Sequence, residues 1–330
     1  MEDNIRFGLG IPNCREGRSV PAGFAGPKQI IQVSQLAEEL GFDVLWADDH
    51  LDASREIRAR DEIPPNLYEI LITMSYIAAI TKTIGLGIGV LVLPTRAIVV
   101  TAKQLATLDV FSEGRIILGL GIGNREEFNA IMPKSTQANR GKMLDEGIEA
   151  LRLLFIENEA TFKGDYYEFN GIALNPKPIQ NHIPIYIAGG ASQTLNRIAK
   201  WGDGCFVPRG LKSLYKRIDE LKPILKVVGR DILEVDMTSR TILSIGNSRE
   251  EAVDRLLKSR ISNRFKGQKM EDTIEQNLIG SVDEIVDAIK KLKDAGMTQL
   301  VVQNIAANTF DEMIEQVNIF GHHVLPIFKN

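Results

Sequence analysis

Short apolar runs alternate with amphipathic stretches along the whole chain. Residues 5–9 read as a first strand. The segment QIIQVSQLAEEL follows with apolar positions at helical spacing and stops at Gly41, a residue type suited to the left-handed position that ends a helix. Residues 44–47 form a second apolar run, and 84–92 a third that contains Gly85, Gly87 and Gly89. Further runs lie at 116–120, 185–187, 204–207, 237–245 and 300–303, each followed by a helical pattern. Strands that are apolar throughout and separated by helices belong to a parallel sheet covered on both faces. Eight such units predict an α/β fold, the closed (β/α)8 TIM barrel. A doubly wound open sheet is the alternative.

Two intervals exceed what a strand–helix unit needs. About 64 residues separate the fourth and fifth runs, and about 54 separate the seventh and eighth. The first contains ATFKGDYYEF, which reads as a hairpin turning at Gly164-Asp165. In the second, residues 258–280 are polar and aperiodic and read as a lid or surface insertion. Residues 1–330 are therefore expected to be a single barrel domain with insertions at about 157–180 and about 247–281. An α/β barrel of roughly 250 residues leaves about the right surplus for them.

The segment YEILITMSYIAAIT is apolar on nearly every side, whereas an outer barrel helix needs one buried stripe. The second apolar face predicts a homodimer, or else cover from the N-terminal loop. Composition changes this picture little: 44% hydrophobic and 25% charged residues are values of a globular chain. The longest apolar run, about ten residues, is short of the roughly 18 a membrane helix requires. The N-terminus has no basic segment followed by an apolar one, so no signal peptide is expected. A net charge of −4 argues against nucleic-acid or anionic-membrane partners. Two distant cysteines, Cys14 and Cys205, make no disulfide framework or thiolate zinc site, and the cytoplasm is the expected compartment.

Barrel active sites are built at the C-terminal ends of the strands. That rule selects Asp49 and His50, which follow the second strand in Ala-Asp-Asp-His. Of four histidines, only His50 occupies such a position, and imidazole exchanges protons near neutral pH. A surface histidine capping a carbonyl is the plain alternative. Ala188, Gly189, Gly190, Ala191 and Ser192 follow the fifth strand and enter a helix, an arrangement that leaves backbone N–H groups for an anion. A tight turn needing glycine would look the same. Gly119, Gly121 and Gly123 have G-x-G-x-G spacing, which is not the dinucleotide fingerprint; they suit a flat ligand lying close to the strand ends. Glu126 and Glu127 come next. Residues 255–269 (RLLKSRISNRFKGQK) hold six cations and no acid, so Arg260 and Arg264 are candidates for an anionic substrate or coenzyme tail, with Arg209 a third. A solvated helix face is the competing reading. H-x-H, H-E-x-x-H and G-x-S-x-G are absent, and no metal site is expected.

Long stretches then carry a resemblance: GFDVLWADDHL, IGLGIGVLVLPTRAIVVTAKQLATLDVFSEGRIILGLGIGNREEF, RGKMLDEGIEALRLLF, NPKPIQNHIPIYIAGGASQTLNRIAKWGDGCF and IGSVDEIVDAIKKLKDAGMTQLVV. The chain resembles the bacterial luciferase-like monooxygenase superfamily, in particular its branch using the deazaflavin coenzyme F-420. The resemblance implies a dimeric (β/α)8 barrel with a flavin or deazaflavin across the strand ends. It implies a non-prolyl cis peptide in the third strand, here Gly89–Val90, facing the ring. Asp49 and His50 match the family's Asp-His pair, and Ala188 to Ser192 the phosphate loop. Gly121, Ile122 and Gly123 match the loop beside the ring, and Glu127 the Glu-Phe step after it. Asn124-Arg125 and Ser54 stand where various relatives carry tryptophan, which leaves the substrate class open.

The expected reaction is hydride transfer between coenzyme F-420 and a small organic substrate. His50 would be the general acid or base, Asp49 would orient it, and Glu127 would be a second proton carrier. The alternatives are a two-component monooxygenase using FMN and, from a different class, a non-catalytic flavin-binding barrel.

Overall fold

Strand and helix runs close into a ring. The computed structural model describes residues 5–265 and 267–329. Its strands are β1 (Arg6–Gly10), β2 (Val44–Ala47), β3 (Gly85–Val92), β4 (Ile116–Gly121), β5 (Ala160–Lys163), β6 (Glu168–Ile172), β7 (Ile185–Ile187), β8 (Gly204–Val207), β9 (Asp236–Ile245), β10 (Leu278–Gly280) and β11 (Gln299–Ile305). β1 lies between β11 and β2, and β9 pairs with both β8 and β11. Hence β1, β2, β3, β4, β7, β8, β9 and β11 form a closed parallel barrel with helices outside. The open-sheet alternative is excluded by that closure.

Both long intervals are ordered additions. β5 and β6 pair antiparallel, as the hairpin pattern predicts, and the Glu146 carboxylate accepts from the turn amides of Asp165 and Tyr166 at 3.0 and 2.9 Å. The second interval, expected as a lid or surface insertion, holds more regular structure than its polar pattern shows. It contains helix Arg249–Lys258, a 3-10 segment Arg260–Phe265, helix Met270–Glu275 and the strand β10. Three residues, Leu-Ile-Gly, are too few to show a period, so β10 was not legible. β10 extends the sheet beside the upper part of β9, with Leu278 opposite Leu243 and Gly280 opposite Ile245. Ala252, Leu256, Ile261 and Ile279 bury a small separate core against Ile242 and Ala306.

Bulky side chains plug the barrel. Trp46, Tyr186 and Phe206 meet inside it, with Trp46 edge-on to Phe206 at 5.2 Å and 5.8 Å from Tyr186. The glycines of β3 make this possible. A Cβ at Gly87 would stand 2.3 Å from the Trp46 ring, and one at Gly89 2.6 Å from it. Trp46 is fully buried and has nowhere to move. Gly87→Ala is therefore expected to cost about 1–3 kcal/mol by overpacking, read as a lower thermal midpoint. An unchanged midpoint would mean that the tryptophan can yield. Beneath this layer, Tyr186 and Arg6 hydrogen-bond at 2.9 Å, both bind Asp236, and Thr298 donates to Asp236 at 2.9 Å. Above it, the Arg240 guanidinium lies 4.1 Å from the Phe206 ring centroid.

Candidate active site

Two irregular strands shape the mouth. Along β3, Ile88 pairs with Leu118 and Leu91 with Leu120, so β3 has one residue more than β4 across this step. Such a bulge re-aims side chains at a barrel rim. The bulge holds the cis peptide Gly89–Val90 that the family resemblance implies. β11 shifts register against β9 between Val302 and Asn304, which sets Gln303 apart.

The glycines at and just after the end of β4 lie against side chains of β3. A Cβ at Gly121 would lie 2.7 Å from Val90 Cγ2, and one at Gly123, where φ is +67°, would lie 2.4 Å from Val92 Cγ1. They admit the side chains of the bulged strand. Arg140 fixes this loop by donating to the carbonyls of Ile122 and Gly123 at 3.1 and 2.8 Å.

Asp49 and His50 part company. The Asp49 side chain is 1% exposed; it accepts from the Val92 amide at 2.9 Å and pairs with Arg96 at 2.7 Å. Arg96 also reaches Glu69 at 2.9 Å. Burial raises the Asp49 pKa despite Arg96 and the Val92 amide. Its carboxylate is taken up by Arg96 and the Val92 amide and not by His50, so the expectation that Asp49 orients the imidazole is corrected. The partner is Glu127: His50 Nδ1 lies 2.9 Å from Glu127 Oε2. Glu127 Oε1 accepts from the amides of Leu51 at 2.7 Å and Asp52 at 3.3 Å. Burial pushes the Glu127 carboxyl up, but the His50 hydrogen bond and charge and the two amides outweigh it and hold it below the ordinary value. A carboxylate only accepts, so Nδ1 carries the proton of this hydrogen bond and Nε2 is the ring nitrogen left for a ligand. Asn124 caps the helix Arg125–Ile131 and turns Glu127 inward, whereas Glu126 is exposed. A cleft of about 350 Å³ opens beside Glu127, between that helix and the Ser54–Arg58 turn.

After β7, the strand next to β4, Ala188 is half-buried and Gly189, Gly190, Ala191 and Ser192 are exposed. They lead into helix Ser192–Trp201, whose N-terminus has no side-chain cap. Its first amides and their dipole are available to an anion. Arg217 donates to the Gly189 carbonyl at 3.2 Å and steadies the loop.

The three candidate cations separate. Arg260 is bound to Asp61 with both side chains largely buried, so it ties the insertion to the loop after β2 and is not a free anion ligand. Arg264 is exposed and lies in the field of Arg15, Asp48 and Arg18 at the mouth. Arg209 donates from Nε to the Arg240 carbonyl at 2.9 Å. Burial, then Arg264 and Arg240, pull its pKa down to about 10. Lys266 of the basic run lies outside the described residues.

Sequence reasoning missed Arg15, Asp48, Arg240 and Gln303. Arg15 Nη2 lies 3.1 Å from Asp48 Oδ2, and Gln303 donates to Asp48 Oδ1 at 2.9 Å. Burial raises the Asp48 pKa, but Arg15, Arg240, His50 and Gln303 together leave it lowered. The available signal was one charged residue inside the apolar run of β9, together with the strand-end rule applied to β1 and β11.

The family model described as luciferase-like monooxygenase matches residues 5–317. The chain belongs to that family. It is 28% identical over 304 residues to the F420-dependent glucose-6-phosphate dehydrogenase of Amycolatopsis mediterranei (strain U-32), spanning 84% of this chain and 88% of that one. It is 25% identical over 366 residues to the FMNH(2)-dependent dimethylsulfone monooxygenase of Pseudomonas putida, spanning 100% and 96%. Its fold matches the coenzyme F420-dependent tetrahydromethanopterin reductase of Methanopyrus kandleri with a TM-score of 0.76 at 23% identity, over 98% and 99% of the two chains. These relatives are named as oxidoreductases, and the chain is an enzyme of their family. No described helix is long and apolar enough to cross a membrane.

Proposed function

We propose that this oxidoreductase transfers a hydride between coenzyme F-420 and a small organic substrate. The observation that carries the reading is the His50–Glu127 pair at the barrel mouth. Reversible hydride transfer at a carbon bearing oxygen or nitrogen moves one proton at that heteroatom, and the pair is built to move it. The likeness to F420-dependent relatives supports the same choice.

The residues present fit a deazaflavin. The uncapped helix start at Ala191–Ser192 suits its phosphate, and the bulged Gly89–Val90 stretch of β3 would support its ring. When bound, the coenzyme supplies the hydride acceptor or donor. His50 Nε2 takes the proton from a substrate hydroxyl as the carbon is oxidised and returns it in the reverse direction. Glu127 stabilises the imidazolium and keeps Nδ1 protonated. The half-buried Val90 and Ile122 are the apolar side chains this reading sets against the ring.

The reading treats residues 1–330 as one cytoplasmic domain with free Cys14 and Cys205. It places a homodimer contact on the face where Ile72 and Tyr76 stand 68% and 49% exposed. Separate titrations of purified protein with F-420 and FMN test the coenzyme. Micromolar F-420 binding with weak FMN binding is expected. Micromolar binding of FMN alone would replace this reading by an FMN-dependent monooxygenase, the chemistry named for the Pseudomonas relative.

A further inference from the structure

The barrel mouth carries more positive charge than its own chain neutralises. Arg15, after β1, has a side chain only 6% exposed. Its Nη1 donates to the Gln303 carbonyl and, at 2.6 Å, to Asn304 Oδ1. Its Nε is buried without a hydrogen-bond partner, and its Nη2 has only the charge contact with Asp48 at 3.1 Å. Arg240 rises inside the barrel from β9 and donates from Nη2 to the Gly89 carbonyl at 2.6 Å. Its Nη1 stands 3.7 Å from Asp48, and its Nε is also buried and unpartnered. Arg209, after β8, donates from Nε to the Arg240 carbonyl at 2.9 Å and so stands beside it, and Arg264 of the insertion is exposed and within the field of Arg15 and Asp48. Asp48 is the carboxylate whose field Arg15, Arg240 and Arg264 share, and Arg209 stands beside Arg240 without it. Buried guanidinium donors without partners are costly unless a further acceptor joins them. Planar forked donors converging from several strands suit an oxyanion.

We propose that Arg15, Arg240, Arg209 and Arg264 form a recognition site for an anionic group, carboxylate or phosphate, on the substrate, with Asp48 holding Arg15 and Arg240 in place. Barrel order argues that the anion belongs to the substrate and not to the coenzyme. Arg15, Asp48, Gln303 and Arg240 come from the adjacent strands β1, β2, β11 and β9. The helix start suited to the coenzyme phosphate follows β7, opposite β1 and two strands from β9; of the four arginines only Arg209, after β8, comes from a strand next to it. His50 follows Asp48 by two residues and lies within its field. An anion held here therefore directs the attached carbon toward the proton-transfer pair. Arg260, neutralised by Asp61, takes no part.

The proposal rests on the hydride-transfer reading only for the identity of the second ligand, and the experiment separates the two. Inorganic phosphate and malonate are titrated calorimetrically into the purified full chain at low ionic strength, with and without saturating F-420. Wild type should bind at least one of them in both conditions. Arg264→Gln, an exposed position, and Arg240→Met should each weaken binding at least tenfold. Lys216→Gln, on an outer helix, should leave it unchanged, and circular dichroism checks folding. Binding to wild type that neither arginine variant weakens overturns the site, as does no binding at all. Loss of anion binding when F-420 is present overturns the substrate assignment, because the coenzyme's own acidic groups then fill the site. Arginine-dependent anion binding without any F-420 binding sustains the site and overturns the coenzyme reading instead.

Discussion

His50→Ala is expected to lower F-420-linked turnover by about 10²–10⁴-fold, the usual worth of a positioned acid–base group. Coenzyme affinity should stay as in wild type. The side chain sits at the strand end and is 27% exposed, so its removal opens no core cavity. Glu127→Gln should cost less but should not be silent. Its single amide oxygen can accept from His50 or from the Leu51 amide, whereas the carboxylate serves both. The measurement is steady-state turnover across a substrate panel, with coenzyme binding followed separately. Intact turnover in His50→Ala would remove the proposed proton carrier. Acid titration offers an independent check on the pair. The folded-state pKa of Glu127 is lowered, so its contribution to stability is complete above its ordinary value of 4.5. That contribution is lost as pH falls through the lowered value. Wild type should therefore lose stability on acidification more steeply than Glu127→Gln.

The second large effect concerns folding. Asp49→Ala removes the acceptor for the buried Val92 amide and strands Arg96, whose side chain is 11% exposed, with Glu69 as its remaining partner. Breaking a buried pair from one side typically costs about 3–5 kcal/mol. Asp49→Asn should be much milder. Burial already raises the Asp49 pKa, which means that desolvation of the charged form outweighs the attraction of Arg96. An asparagine oxygen can still accept from Val92. Thermal unfolding of the two variants gives the comparison, and equal losses would show that charge, not the amide bond, governs the site. Because Asp49 does not hold His50, the pH profile of turnover in Asp49→Asn should match wild type. A shifted profile would restore a direct link between the two residues.

The prominence of Asp49 in the sequence and its modest place in the site illustrate one general limit. Ala-Asp-Asp-His marks a strand end, but periodicity does not say which way each side chain turns there. Asp49 faces back to the end of β3, while Asp48 faces the ring of arginines and His50 leans to Glu127. The central glycines show the same limit. Gly121 and Gly123 read as space for a ligand, and in the fold they also make room for Val90 and Val92 of the bulged β3. Gly87 and Gly89 likewise answer to Trp46, more than forty positions away. Arg260 and Arg264 were equivalent cations in a basic run; only the packing of the insertion pairs one with Asp61 and leaves the other at the mouth.

By itself the sequence determined the barrel, since apolar strands alternating with helices can bury both faces of a parallel sheet in few ways. It also determined which loops carry chemistry, because strand ends are local features, and its motifs carried the family. The tertiary structure alone decided the partnerships: Glu127 with His50, Arg96 with Asp49, and Asp48 with Arg15 and Arg240. Each joins residues from separate strands or their loops, at distances set by bulges, barrel closure and a tryptophan plug. Hydrogen bonds and ion pairs form or fail within about an ångström, a precision that emerges only when the ring is closed.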